Sequence, residues 1–126
     1  MGAAGNTAIV KAFYHQAFNT CRPADAVQSF AADRYVEHSP TFDGGKEVFI
    51  EYFVRLAREH PGKRVEFRRA IAEGDFVVLH CRYQWLNDRD CDGIDIFRLD
   101  ASGRIAQHWG FIERVPERSP HAIAMA

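Results

Sequence analysis

The chain has 126 residues, 47% of them hydrophobic and 13% aromatic, which suits one domain with a single packed core and excludes an intrinsically disordered chain. Its formal charge of −1 comes from 16 basic and 17 acidic residues interspersed along its length, so there is no electrostatic footprint for nucleic acid or an anionic membrane. Cys21, Cys81 and Cys91 show neither CxxC nor zinc spacing, which predicts reduced structural thiols rather than a disulfide framework.

The opening "MGAAGNTAIV" lacks the charged start and long apolar stretch of a signal peptide, and no apolar run reaches membrane-spanning length; a cytoplasmic protein with no membrane partner is expected. Residues 6–20 carry Ile9, Phe13, Ala17 and Val10, Tyr14, Phe18 at helical spacing, with Asn6 or Thr7 as the N-cap. "PADAVQSFAAD" opens with proline in the first turn and predicts a short second helix. "RYVEHSP" is extended, and "DGGKEVFIEYFVRLAREHPG" predicts a third helix that stops at Pro61-Gly62.

Near residue 64 the apolar period changes from about 3.6 to about two. "RVEFRRAIAEGDFVVLHCRYQWL" forms two strands around the turn "EGD", and "GIDIFRLDASGRIAQHWGFIERV" forms two more around "DASG". "NDRDCDG" is a polar connection, and the basic run "KRVEFRR" is a solvated edge. Helices first and hairpins afterwards predict an α+β fold, three N-terminal helices on one face of an antiparallel sheet. One domain spans residues 1–126, its core about 7–117 and a tail at 118–126.

Several polar residues fall where half the strand positions should be buried. His80 and Arg82 share one face of their strand, Asp95 and Phe97 one face of theirs, and His108 and Gly110 one face of the last. If register brings those faces together, His80, Asp95 and His108 converge on a polar-floored pocket, since buried ionisable groups are costly unless paired. Satisfied core or rim histidines are the plainer alternative. Trp85 and Trp109, of opposite parity to those histidines, are expected on the outer face. Tyr14, Tyr35, Tyr52, Phe49 and Phe53 are expected in the core and pocket wall. Three histidines and an aspartate on separate strands and a loop lack compact ligand spacing, so no metal is expected.

The stretches "YVEHSP", "DGGKEVFIEYF", "AIAEGDFVVLHCRY" and "DIFRLDASGRIAQHWGFIERVPE" resemble the SnoaL-like, polyketide-cyclase branch of the nuclear transport factor 2-like superfamily, over roughly residues 7–117. The resemblance implies a cone-shaped α+β barrel, a strongly curved sheet wrapped around helices with a deep apolar pocket, and a homodimer through the outer sheet face. It implies proton transfer on a small apolar, carbonyl-containing ligand without any cofactor. His38 matches the family's pocket histidine and Asp95 its strand acid, while His108 and Trp109 match the first two residues of a His-Trp-Asp motif. Gly110 stands where that motif places its proton-transfer aspartate. The expectation is a vacated acid position with room for a carboxylate, a water or a ligand. Asp95, His108 and His38 are then the candidate catalytic residues, with Asp95 the remaining carboxylate and the histidines able to orient it, donate to an oxygen or act as the base. A non-catalytic ligand-binding protein is the alternative.

Overall fold

The computed structural model describes residues 2–39, 43–85 and 88–115. Helix α1 spans Ala3–Tyr14 and runs into a π-helical turn, His15–Asn19; α2 spans Pro23–Phe30 and α3 Lys46–Glu59. The strands are β1 (Ala31–His38), β2 (Asp43–Gly44), β3 (Arg64–Glu73), β4 (Phe76–Gln84), β5 (Cys91–Leu99) and β6 (Ile105–Arg114). The period change near residue 64 therefore marks the start of β3. The connection "NDRDCDG" is shorter than expected because Cys91–Gly93 already pair with β4 and β6. The tail at 118–126 lies outside the described residues.

The first helix begins before the expected cap, so Asn6 donates its amide to the Gly2 carbonyl at 3.0 Å from inside the helix. The predicted single helix over 6–20 changes pitch at its end. There the Thr20 amide reaches back five residues to His15 at 3.1 Å, while the Asn19 carboxamide pairs with both backbone groups of Val65, at 2.7 and 3.1 Å. This two-point contact fastens the helix end to the first long strand. Such single π-turns recur at functional sites.

The sheet order is β2-β1-β6-β5-β4-β3. Three hairpin-type pairings, β3–β4, β4–β5 and β5–β6, are antiparallel, through turns at which Gly74 (φ 59°) and Gly103 (φ 83°) take left-handed conformations. The expectation of a wholly antiparallel sheet is corrected at one place: β1 runs parallel to β6. β1 comes from the helical half of the chain and joins from a distance in sequence, free of the hairpin geometry that forces reversal. The sheet is curved but unclosed, with β2 and β3 at its edges. Register breaks within β3–β4 and at the end of β5–β6 supply bulges that bend strands.

The three helices cover the concave face. Phe49 and Phe53, one helical turn apart on α3, are both buried: the Phe49 ring stacks on Phe13 at 5.2 Å, and Phe53 meets Tyr14 and Phe18, each at 6.0 Å. From β4 and β5, Val77, Leu79, Cys81, Phe97 and Leu99 complete this core. Strand alternation follows: Val77, Leu79, Cys81 and Tyr83 face the helices, and the intervening residues face the other side.

Candidate active site

The parallel β1–β6 pair sets Glu37 beside His108, and the antiparallel β5–β6 pair sets Phe97 beside His108 and Asp95 beside Gly110. Three concave-face positions on three strands thus form the floor of one pocket. His108 Nδ1 lies 2.6 Å from Glu37 Oε2, and its Nε2 lies 2.8 Å from Asp95 Oδ1. The other Asp95 oxygen accepts from the Tyr83 hydroxyl, which in turn lies 2.7 Å from the Tyr14 hydroxyl. Glu37 also accepts from Tyr35 and from Ser39, each at 2.6 Å. The result is a continuous chain from Ser39 and Tyr35 through Glu37, His108, Asp95 and Tyr83 to Tyr14.

His108 is 3% exposed, Asp95 2% and Glu37 1%. Burial alone pushes the His108 imidazole toward its neutral form, but its hydrogen bonds to Asp95 and Glu37 outweigh burial and raise its pKa to about 9. At neutral pH it is an imidazolium that donates both N–H groups to carboxylates. Burial, then the nearby Asp95 charge, hold the Tyr14 and Tyr83 phenols well above their ordinary value and keep them protonated donors.

The pocket above this floor has a volume of about 70 Å³. Asp95, His108, Ser39 and Gly110 form its polar end, and Phe18, Phe53, Leu56 and Trp85 are among its apolar walls. Ile112, which shares the parity of His108 and Gly110 and is 50% exposed, marks its mouth. Small volume, apolar walls and a few convergent polar groups describe a site for a compact, mostly apolar molecule.

Of the predicted site residues, Asp95 and His108 meet on the floor, and Phe53 and Gly110 line the pocket. Tyr35 and Phe97 support it from behind, Tyr35 through Glu37 and Phe97 through ring contact with His108 at 4.7 Å. His38 does not belong to the site. It is exposed on the opposite face, where its ring stacks on Trp109 at 4.9 Å and its Nε2 lies 3.0 Å from the Gln107 carboxamide. Strand alternation turns Glu37 inward and its neighbour outward. The same parity removes His80, which pairs with Arg69 at 2.8 Å, and Arg82, which pairs with Asp92 at 2.8 Å. Trp85 reverses the other way: it shares the inward parity of Tyr83 and walls the pocket, whereas Trp109 faces outward as expected.

Gly110 is not an empty socket. A Cβ there would stand 3.1 Å from Asp95 Oδ1, 3.1 Å from His108 Cε1 and 3.4 Å from Ser39 Oγ. The volume expected to be free for a carboxylate is bounded by the Asp95 carboxylate itself. Glu37, Tyr83 and Ser39 are the members of the network that the sequence does not single out, and Tyr14, expected in the core and pocket wall, joins it through its hydroxyl. Glu37 follows from the inward Tyr35 two positions earlier, and Tyr83 from the apolar series Val77, Leu79, Cys81 on its own strand.

No significant sequence match is found among curated proteins. Among solved structures, a candidate isomerase of the SnoaL-like family from Agrobacterium tumefaciens is similar with a TM-score of 0.74 and 20% identity, over 87% of this chain and 98% of that one. A candidate polyketide cyclase from Acidithiobacillus ferrooxidans is similar with a TM-score of 0.75 and 17% identity, over 90% and 92%. IdmH from Streptomyces antibioticus, also a candidate polyketide cyclase, aligns with a TM-score of 0.72 and 15% identity, over 86% and 91%. These likenesses establish a common fold. The family model for the SnoaL-like domain matches residues 10–108, a span that runs from the first helix to the floor histidine, and the chain belongs to the SnoaL-like domain family.

Proposed function

We propose that the chain is a cofactor-independent acid/base enzyme of the cyclase or isomerase type, which moves a proton next to the carbonyl of a small, mostly apolar compound. The observation that carries this reading is the Asp95–His108 pair, 2.8 Å apart at the polar end of an otherwise apolar pocket. Asp95 is the base. Each of its oxygens already accepts one hydrogen bond, and a carboxylate oxygen keeps further acceptor capacity for a carbon-bound proton.

His108 is a positioning residue. As an imidazolium it holds Asp95 in one orientation, with Glu37 as the counter-charge behind it. The Ser39 and Tyr14 hydroxyls stand on the pocket wall, but their single protons are already donated to Glu37 and Tyr83, so they fix the polar end of the pocket rather than donate to the substrate oxygen. Gly110 lets the substrate carbon approach Asp95 closely, because no side chain intervenes. The acid of the family's His-Trp-Asp motif is thus replaced across the strand pair by Asp95, which with His108 is nearest to position 110.

The test is solvent exchange at carbon. A panel of small β-keto esters is incubated with the protein in heavy water and the α-hydrogen followed by NMR. Exchange faster than buffer, lost in Asp95→Asn, is the expected result. Binding of panel members by thermal shift without any accelerated exchange supports instead a ligand-binding protein, a reading that the glycine in the family's acid position favours.

A further inference from the structure

Cys21 and Lys63 form a contact that the proposed chemistry does not use. Cys21, an exposed residue, lies between the π-helical turn and α2, and among the described residues it is the one non-glycine position with a left-handed backbone, φ 57°. Lys63 precedes β3 and is 4% exposed, which corrects the expectation of a solvated basic edge for this residue. Its Nζ donates to the Phe18 carbonyl, lies 4.2 Å from the centre of the Phe18 ring and is 3.3 Å from Cys21 Sγ. Among the described residues no carboxylate pairs with it.

The nitrogen is therefore immobilised with the sulfur as a direct neighbour, and Cys21 itself is an exposed residue. A separation of 3.3 Å is a near-attack distance. It is also far longer than a direct covalent bond, so one inserted atom joins the two groups with less backbone movement than direct bonding would need.

We propose that Cys21 and Lys63 are an oxidative cross-linking site, in which dioxygen joins Sγ to Nζ through a single bridging oxygen. The reacting groups are the thiol and the free amine, the ammonium having released its extra proton to solvent. The S–H bond and one N–H bond break, and S–O and O–N bonds form. Sulfur and nitrogen each lose two electrons and dioxygen gains four. One oxygen atom stays in the bridge, and the other leaves as water with the thiol hydrogen and one amine hydrogen. The link ties the helical hairpin to the start of β3 across 42 positions of sequence, which restricts the unfolded chain and raises thermal stability.

The experiment compares the full chain aged in air-saturated buffer with the same protein held anaerobically with a thiol reductant. The expected adduct gains one oxygen and loses two hydrogens, maps to a fused pair of peptides containing Cys21 and Lys63, raises the melting temperature by several degrees and is reversed by the reductant. Lys63→Arg, which keeps the charge, abolishes the fused peptide. If that variant fails to fold, Cys21→Ser serves in its place, and the peptide map of the unaltered chain stands by itself. Oxygen retained on Cys21 alone, loss of two hydrogens without oxygen, a disulfide between chains, or no adduct would each overturn the proposal.

Discussion

Gly110 and Asp95 are directly paired across β5 and β6, and a Cβ on the glycine would come within 3.1 Å of the aspartate's Oδ1. The absence of a side chain at 110 is therefore what allows the Asp95 carboxylate to reach His108 and still face the pocket. Gly110→Asp adds both a steric contact and a second carboxylate beside the first. We expect a loss of about 1–3 kcal/mol in urea unfolding, and reduced exchange activity because Asp95 is displaced from His108. Unchanged stability with increased activity would mean that Asp95 is a bystander.

Gly93 has a parallel role under Tyr83. A Cβ at 93 would stand 2.3 Å from the Tyr83 ring, too close for the ring to stay where its hydroxyl reaches Asp95. Gly93→Ala is expected to cost about 1–3 kcal/mol through overpacking and to lower kcat. Tyr83→Phe keeps the ring and removes the hydroxyl that the buried Asp95 accepts from, so it should lower kcat and cost about 1.5–3 kcal/mol. In a Tyr83→Phe background Gly93→Ala should still cost about 1–3 kcal/mol, because the ring remains; loss of that cost would remove the steric reading of Gly93.

Stability should fall as pH rises through the window between the ordinary histidine value of 6.5 and the value of about 9 that His108 reaches in the fold. In that window the native state holds a proton that the unfolded chain has released, so the slope is negative, at most about 1.4 kcal/mol per pH unit. Below the window the contribution is fully present. Cys81, whose thiol is pushed up by burial and then by Asp95, adds the same sign only near and above its ordinary value of 9.0. Urea midpoints measured from pH 6 to 8 therefore isolate His108, and a His108→Gln variant should lose the slope there.

Which parts of this were legible in the sequence follows from what alternation can tell. The change of period near 64 and the turns around Gly74 and Gly103 are local signals, and the hairpins followed from them. The parallel β1–β6 pair is a long-range event with no local signature. It decides the site, because it puts Glu37 beside His108 and sends His38 to the Trp109 side. Histidines attracted the functional reading of β1 and β4, whereas the apolar neighbours Val77 and Leu79 carried the information about which face of β4 is inside. Chemistry-bearing residue types named the wrong partners on two strands; parity with the core names the right ones.

The outer sheet face carries Ile94 and Phe111, 40% and 52% exposed and paired across β5 and β6, and also the Trp109 ring, 6.2 Å from that of Phe76. We propose that a second copy covers this face, since contiguous apolar groups on a sheet otherwise stay in water. Sedimentation should report a dimer at micromolar concentration and a monomer for Phe111→Lys. A monomeric unaltered chain would exclude it.

Asp95 and Glu37 flank the same imidazole, but only Asp95 lines the pocket. If Asp95 takes the substrate proton, Asp95→Asn removes the base and lowers kcat by about 10²–10⁴-fold, with KM little changed because the amide fills the same space. Glu37 touches no substrate, so Glu37→Gln acts through His108. The Gln amide oxygen can still accept from His108, but the imidazolium loses one of the two negative charges that favour it against burial, and it deprotonates at lower pH. The variant should retain activity in mildly acidic buffer and lose it as pH rises, its descending limb displaced toward acid relative to the unaltered chain. The unaltered chain should hold its activity until His108 itself deprotonates near 9. A pH–rate profile for both proteins separates positioning from folding, since a purely structural loss would scale the whole curve without moving its limb. If Glu37→Gln keeps the limb of the unaltered chain, or if Asp95→Asn retains exchange, the assignment of Asp95 as base and His108 as its charged support is wrong.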